Sequence, residues 1–152
     1  MPNTGKEVEP GHRASITFGN VYRSLELELK AAILADGRTF GDAALIEAML
    51  ARRRTTLEGL AIILRHLPTS VPGITSPAQL LQLIRSSKQE QLKGLQINDP
   101  VQLAVINANL IMERKLKTTT DPPDSAFRVI TTMLRDWQRS ISLSLPSLIA
   151  AR

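Results

Sequence analysis

Apolar residues recur every three or four positions along most of the chain, which is the spacing of one face of an α-helix. The longest such run extends from Ile46 to Leu67 and keeps its phase across three consecutive arginines, until Pro68 stops it. Thr55 and Glu58 have the spacing of a capping box, which can start a new helix. The pattern therefore predicts helix over residues 40–67 and leaves open whether it is one helix or two.

A repeated start signal predicts two further helices. Ser76 to Gln79 and Asp99 to Gln102 each place a capping residue, a proline and a glutamine before an apolar run, an order typical of a helix N-terminus. The second of these helices, about residues 100–117, is apolar on nearly all sides. Such a helix belongs at the centre of a bundle or between subunits. We therefore predict a homo-oligomer whose interface includes Val105, Leu110, Met112 and, from the C-terminal tail, Leu148.

The last helix is predicted to run from Asp124 or Ser125, either of which can cap it, to about Leu143. One side of this helix is apolar and carries Phe127, Ile130, Met133, Leu134, Trp137 and Ile141. On the opposite side, three arginines fall within about 40° of one another on a helical wheel. These are Arg128, Arg135 and Arg139. The spacing predicts an exposed basic ridge backed by an apolar face.

The first 36 residues carry mixed signals. Residues 1–15 contain two prolines, two glycines and few apolar side chains, so we interpret them as a flexible N-terminal arm. Leucines alternate with acids over residues 25–29 as in a strand, yet helix-favouring residues and i, i+4 spacing predict a helix over about 20–36, capped by Asn20 and closed by Gly37. We take the helix as the expectation, and strand within residues 16–30 stays open. The predicted fold is all-α, a single domain over residues 16–152 with five to seven helices in a bundle.

Composition excludes several classes of protein. A chain of 152 residues with 43% hydrophobic and 22% charged residues is typical of one soluble domain. Apolar runs such as Leu60 to Ile63 are far shorter than the roughly 20 residues of a membrane span, and no secretory signal is present at the N-terminus. Because there is no cysteine, disulfides and thiol chemistry are excluded. We expect an intracellular protein of the cytoplasm, nucleus or nucleoid, neither secreted nor membrane-spanning.

The charge is unevenly distributed. The formal net charge of +5 and a pI near 10.1 favour polyanionic partners. Residues 1–58 are balanced, whereas residues 59–98 and 126–152 each carry an excess of +3. The arginine triplet at 52–54 therefore lies in a neutral segment, and its side chains fan through about 200° of a helix. We interpret the triplet as a solvated edge, with Glu58 available to pair with Arg54 and the stem of Arg53 lying along the core.

Residue patterns typical of catalysis or metal binding are missing from the sequence. His12 and His66 lie in no metal-ligand spacing, and His66 near a helix C-terminus suits a structural role. We expect no enzymatic activity, no cofactor and no metal. The stretch DWQRSIS, Asp136 to Ser142, resembles part of the helical domains of some viral transcription cofactors, and no residue role is carried across from that resemblance.

These observations lead to two hypotheses. The first is a non-enzymatic helical protein that self-associates and binds nucleic acid through the phosphate backbone, without sequence preference, in an accessory, nucleoprotein or packaging role that includes viral ones. The second is a helical adaptor or structural assembly subunit whose arginines meet an acidic protein surface. An aromatic content of 3% offers no platform for base stacking. The predicted nucleic-acid contacts are Arg128, Arg135, Arg139, Arg85, Lys88, Lys93, Arg52 and Arg54.

Overall fold

Two short β-hairpins precede four α-helices in the part of the chain that the structure describes. The computed structural model describes the backbone of residues 13–16 and 25–145 and the side chains of residues 28–145. The first hairpin pairs β1 (Arg13–Ile16) with β2 (Leu25–Glu28), and the second pairs β3 (Ala31–Ile33) with β4 (Thr39–Gly41), both antiparallel. The helices are α1 (Ala43–His66), α2 (Pro77–Leu92), α3 (Pro100–Thr118) and α4 (Pro123–Ser144). The predominantly helical fold agrees with the sequence prediction, but the described residues form four helices and not the predicted five to seven.

The helix predicted over residues 20–36 is wrong, because the segment from Leu25 onwards forms strands. Gly37 does not close a helix; it has φ +86° in the turn between β3 and β4. Asp36 stabilises that turn by accepting hydrogen bonds from the Arg38 backbone N–H at 3.0 Å and from its Nε at 2.7 Å. Both hydrogen bonds lower the pKa of Asp36 below its ordinary value, and the one from the backbone N–H has the larger effect. The predicted cap Asn20 lies outside the described residues.

Gly41 is the position where the second hairpin requires glycine. Its φ is +95°, and a Cβ atom there would lie 2.1 Å from the carbonyl oxygen of Lys30. The next residue, Asp42, donates its backbone N–H to that same oxygen at 2.9 Å. Asp42 also caps α1, since its carboxylate accepts the backbone N–H of Leu45 at 2.9 Å. The hairpin is therefore joined directly to the start of α1.

Helix α1 is a single helix of 24 residues, which decides the alternative that the pattern left open. The Thr55 and Thr56 hydroxyls donate to the carbonyl oxygens of Ala51 and Arg52, both at 2.9 Å. Thr55 thus bonds back within the helix and does not start a new one. The helix ends before Leu67, whose extended backbone suits the residue that precedes a proline.

The start signals of α2 and α3 are confirmed, and that of α4 is not. Ser76 and Gln79 form a complete capping box, and Asp99 accepts the backbone N–H of Val101 at 2.8 Å. Helix α4 was predicted to be capped by Asp124 or Ser125, but it begins at Pro123 without a side-chain cap. Proline suits this position because backbone N–H groups in the first turn of a helix have no partner within the helix, so the absence of an N–H costs no hydrogen bond.

The core lies between the four helices, and each helix contributes to it. Helix α1 contacts all three other helices as well as β3 and β4. It packs tightly against α3 at Gly59, where an added Cβ would lie 2.9 Å from the Cβ of Ala104. The largest fully buried apolar side chains are Leu60, Ile63, Leu80, Ile84, Val105, Met112, Ile130 and Leu134. None of the helices in the described residues has the length and apolar character needed to cross a bilayer.

A buried pair of amides crosses this core between α2 and α3. Asn109 is 0% exposed and donates from Nδ2 to Gln91 Oε1 at 2.7 Å and to the Val105 carbonyl oxygen at 2.9 Å. Gln91 Nε2 and Asn109 Oδ1 have no hydrogen-bond partner among the described residues. Buried amide groups are costly unless hydrogen-bonded, so this pair favours one alignment of α2 against α3. Asn107, two residues away, lies on the surface.

Candidate functional site

Helix α4 presents three arginines on its solvent-facing side. Arg128, Arg135 and Arg139 are all exposed, and the helix holds them over a length of about 16 Å at 1.5 Å per residue. The opposite side is buried through Phe127, Ile130 and Leu134. We call the three exposed arginines the α4 ridge.

The α4 ridge has no ion-pair partner among the described side chains, residues 28–145. Asp136 is exposed on the same helix but forms no ion pair with Arg135 or Arg139 in that range. Around the helix, Asp136 lies about 100° from Arg135 and about 60° from Arg139, so it borders the ridge without forming an ion pair with it. The positive charge of the ridge therefore faces solvent, with no carboxylate of the described residues within ion-pair distance.

Two of the other predicted nucleic-acid contacts, both in or next to α2, do have carboxylate partners. Arg85 of α2 donates from Nε and Nη2 to Glu113 Oε2 of α3, at 3.2 and 3.1 Å. Lys93 Nζ lies 2.6 Å from Glu90 Oε1. A nearby carboxylate lowers the local positive potential, so these cations are weaker attractors of an anion than unpaired ones. Lys88, the remaining candidate on α2, is half-buried and has no ion pair among the described residues.

The arginine triplet of α1 is divided among three environments. Arg54 is exposed and pairs with Glu47 at 3.3 Å, not with Glu58 as the sequence suggested. Arg53 is half-buried; its Nη2 donates to the Ile33 carbonyl oxygen at 3.5 Å, and its buried Nη1 has no hydrogen-bond partner. Arg52 is exposed and lies at the edge of a groove. The triplet does not form one surface.

That groove is bounded by α1, α3 and α4 and was not foreseen from the sequence. It consists of two adjoining depressions of about 750 and 610 Å³, which share Arg52, Thr56 and Trp137. We call the two together the central groove. Trp137, predicted to belong wholly to the apolar face of its helix, is half-buried and lies where the depressions meet. The only sequence signal for the central groove was the surplus of apolar residues on α3. That surplus does not show which of those residues stay exposed.

The four residues predicted for an oligomer interface lie in different places. Val105 and Met112 are 0% exposed within the core of a single chain, so they offer no surface to a second copy in this fold. Leu110 is 51% exposed and lines the central groove. Leu148 lies outside the described residues. Self-association stays a prediction, for which Leu110 is the one exposed member among the described residues.

The described side chains bring together no group of three or more histidines, aspartates and glutamates that could hold a metal ion. His66 is exposed in the last turn of α1, with Nδ1 2.8 Å from the carbonyl oxygen of Ile62. That contact requires Nδ1 to carry the proton and donate it. The imidazole thus bonds to its own helix, and His12 lies outside the described residues.

No protein family, curated protein or solved structure shows a significant match to this chain.

Proposed function

We propose that this chain is a non-enzymatic helical protein that binds nucleic acid through the phosphate backbone, in an accessory, nucleoprotein or packaging role. The observation that supports the proposal is the α4 ridge, three exposed guanidinium groups on one face of a rigid helix without a carboxylate partner in the described residues. Guanidinium groups bind phosphate oxygens with two parallel hydrogen bonds. A straight array of them needs no particular base sequence.

The mode of binding follows from what the ridge contains. Between the arginines lie Thr132 and Asp136, both exposed, and neither offers a base-stacking surface. Contacts would therefore go to phosphates, with little discrimination between sequences. Binding of this kind is driven by counterion release and weakens steeply as salt is added. We expect similar affinities for duplexes of unrelated sequence.

Binding of labelled random-sequence DNA and RNA at two salt concentrations tests the proposal. At about 0.1 M salt, each phosphate contact contributes roughly tenfold in affinity. Replacing Arg128, Arg135 and Arg139 together by glutamine should therefore lower the affinity by roughly a hundredfold to a thousandfold. A matched triple, Arg65→Gln with Lys115→Gln and Lys117→Gln, removes the same charge from exposed positions elsewhere and should cost far less.

Two outcomes would overturn the proposal. One is no binding by the unmodified chain even at low salt. The other is an equal loss of affinity in both triple variants, which would mean that net charge alone is responsible. If the ridge variant instead loses an assembly with a protein while nucleic-acid binding is unaffected, the adaptor hypothesis takes its place.

A further inference from the structure

The central groove has an apolar wall that no other part of the described chain covers. Leu103, Leu110 and Ile111 of α3 are 50%, 51% and 42% exposed and all line the larger depression. The core of the domain lies on the opposite side of α3, at Val105 and Met112. Burial of exposed leucine and isoleucine side chains against a partner removes apolar surface from water and so stabilises the complex. Grouped exposed apolar side chains of this kind mark binding surfaces.

The spacing of these side chains suits a helix as the occupant. Leu103 and Leu110 are two turns apart, about 10.5 Å along α3 at 1.5 Å per residue. An amphipathic helix presents apolar residues at i, i+3 or i+4 and i+7, which span the same length. The larger depression is lined by residues of both α1 and α3, so α1 forms its other side. A helix laid along α3 can therefore place its apolar residues between those of the wall.

The charges around the groove select among such helices. Arg52 and Arg114 are exposed lining residues of the larger depression, and Arg52 and Arg53 line the smaller one. None of the described lining residues is acidic. None of these three arginines has an ion pair among the described side chains, and Arg53 Nη1 lacks any hydrogen bond. The field of the groove is therefore positive and favours carboxylates on both flanks of the occupant.

We propose that the central groove binds an acidic amphipathic helix of a partner protein. The apolar face of that helix contacts Leu103, Leu110 and Ile111, and its flanking aspartates or glutamates pair with Arg52 and Arg114. This interface is separate from the α4 ridge, so it goes beyond nucleic-acid binding. Nucleic acid could pair with the arginines, but its phosphates gain nothing from three exposed aliphatic side chains.

A second copy of the chain fits the groove less well than an acidic partner. Helices α1, α2 and α4 bury their apolar faces in the core of their own chain, and the exposed apolar wall of α3 is flanked by Arg114 and not by acids. Helix α4, which has the most clearly segregated faces, is basic on its exposed side. A folded second copy therefore offers, within residues 28–145, no helix with an exposed apolar face flanked by acids. The charge of the groove would also repel the exposed arginines of that copy.

Selection from a displayed peptide library tests the proposal with a defined probe. The library consists of 16-residue peptides on an alanine-rich helical frame with randomised surface positions, selected against the full chain. We expect the selected peptides to be enriched in leucine, isoleucine or phenylalanine at helical spacing and in aspartate or glutamate beside them. Failure to select any peptide, or selection of peptides rich in lysine and arginine, overturns the proposal.

The single tryptophan reports directly on occupancy of the groove. Trp137 is the only tryptophan in the chain, and it lines both depressions. A selected peptide without tryptophan should shift the emission of Trp137 to shorter wavelength and do so saturably. Leu110→Asp, and separately Arg52→Glu with Arg114→Glu, should each weaken binding at least tenfold.

Matched controls separate the groove from general surface effects. Ile97 is 84% exposed and does not line the groove, so Ile97→Asp should leave peptide affinity within twofold, as should Arg65→Glu with Lys117→Glu. Equal loss in controls and groove variants overturns the proposal. So does displacement of the peptide by a short single-stranded oligonucleotide, which assigns the groove to nucleic acid. Sedimentation that shows a dimer abolished by Leu110→Asp overturns it as well and assigns the groove to a second copy.

Discussion

The chain contains two sets of three arginines, and their surroundings differ completely. On α1 the three are consecutive, and each reaches a different environment: Arg52 the central groove, Arg53 the carbonyl oxygen of Ile33, Arg54 the carboxylate of Glu47. On α4 the three are spaced seven and four apart and share one exposed face. Consecutive residues on a helix are rotated by about 100°, whereas residues seven or eleven apart return almost to the same side.

The difference teaches that spacing decides what a basic cluster can do. A run of arginines stands out when the sequence is read, yet on a helix it disperses its charge over more than half the circumference. A spaced set is inconspicuous in the sequence and concentrates its charge along a line. Such a line matches a phosphate backbone, which is itself a line of charge. Changes to the spacing or the surroundings of individual arginines should therefore alter the affinity for nucleic acid.

Of the substitutions that compare the two clusters, the largest effect is expected from exchanging two adjacent residues of α4. The double variant Arg135→Asp with Asp136→Arg keeps composition and net charge but moves one guanidinium off the α4 ridge and puts a carboxylate on it. We expect roughly a tenfold to hundredfold loss of DNA affinity near 0.1 M salt, since one contact is lost and one repulsion is added. Fluorescence anisotropy with a labelled duplex measures it.

A second exchange on α4 is the control for the first. Arg128→Thr with Thr132→Arg moves an arginine by one turn, about 40° around the helix, and so keeps it on the ridge. Both positions are exposed, and affinity should stay within about threefold. If the two exchange variants behave alike, the arrangement of the arginines does not matter and the contrast with α1 loses its meaning.

An intermediate effect, on stability, is expected from Arg53 of α1. Arg53→Met keeps much of the apolar stem and removes a buried Nη1 that has no hydrogen-bond partner. An unsatisfied buried polar group costs about 1–3 kcal/mol, and the 3.5 Å contact with the Ile33 carbonyl oxygen is weak compensation. We expect the free energy of unfolding in urea to rise by about 1 kcal/mol. A decrease of that size would show that the guanidinium holds β3 against α1.

The smallest effect is expected from Arg54. This side chain is exposed, and its pair with Glu47 is exposed as well, so the pair contributes little to folding. Arg54→Gln should change the free energy of unfolding by less than about 0.5 kcal/mol and lower DNA affinity by less than about threefold. A tenfold loss of affinity would place α1 in the nucleic-acid interface and remove the distinction between the two clusters.

The helices were predictable from sequence where local signals agree. The capping box of α2, the Asp99 and Pro100 start of α3 and the apolar periods of α1 and α4 all point to helix, and short-range hydrogen bonds are enough to define them. The segment before α1 was predicted wrongly. There, Leu and Glu favour helix by composition, but Asp36 and Gly37 form a hairpin turn, a signal that outweighs a short run of helix-favouring residues.

The candidate site was predictable in part for a similar reason. The α4 ridge depends only on the spacing of three arginines along one helix, so it can be predicted from the sequence alone. The ion pair between Arg85 and Glu113 and the central groove depend on how helices are placed against one another. The prediction of one interface from Val105, Leu110 and Met112 failed for the same reason. The sequence of a helix that is apolar on all sides does not show which side the core will cover.

The salt dependence of nucleic-acid binding tests the central claim most directly. If three ridge arginines each contact one phosphate, a plot of log affinity against log salt concentration should have a slope of about −2.7 on duplex DNA. Each single Arg→Gln substitution at Arg128, Arg135 or Arg139 should reduce that slope by about 0.9. Slopes unchanged in all three single variants would contradict the account, because the ridge would then make no phosphate contact.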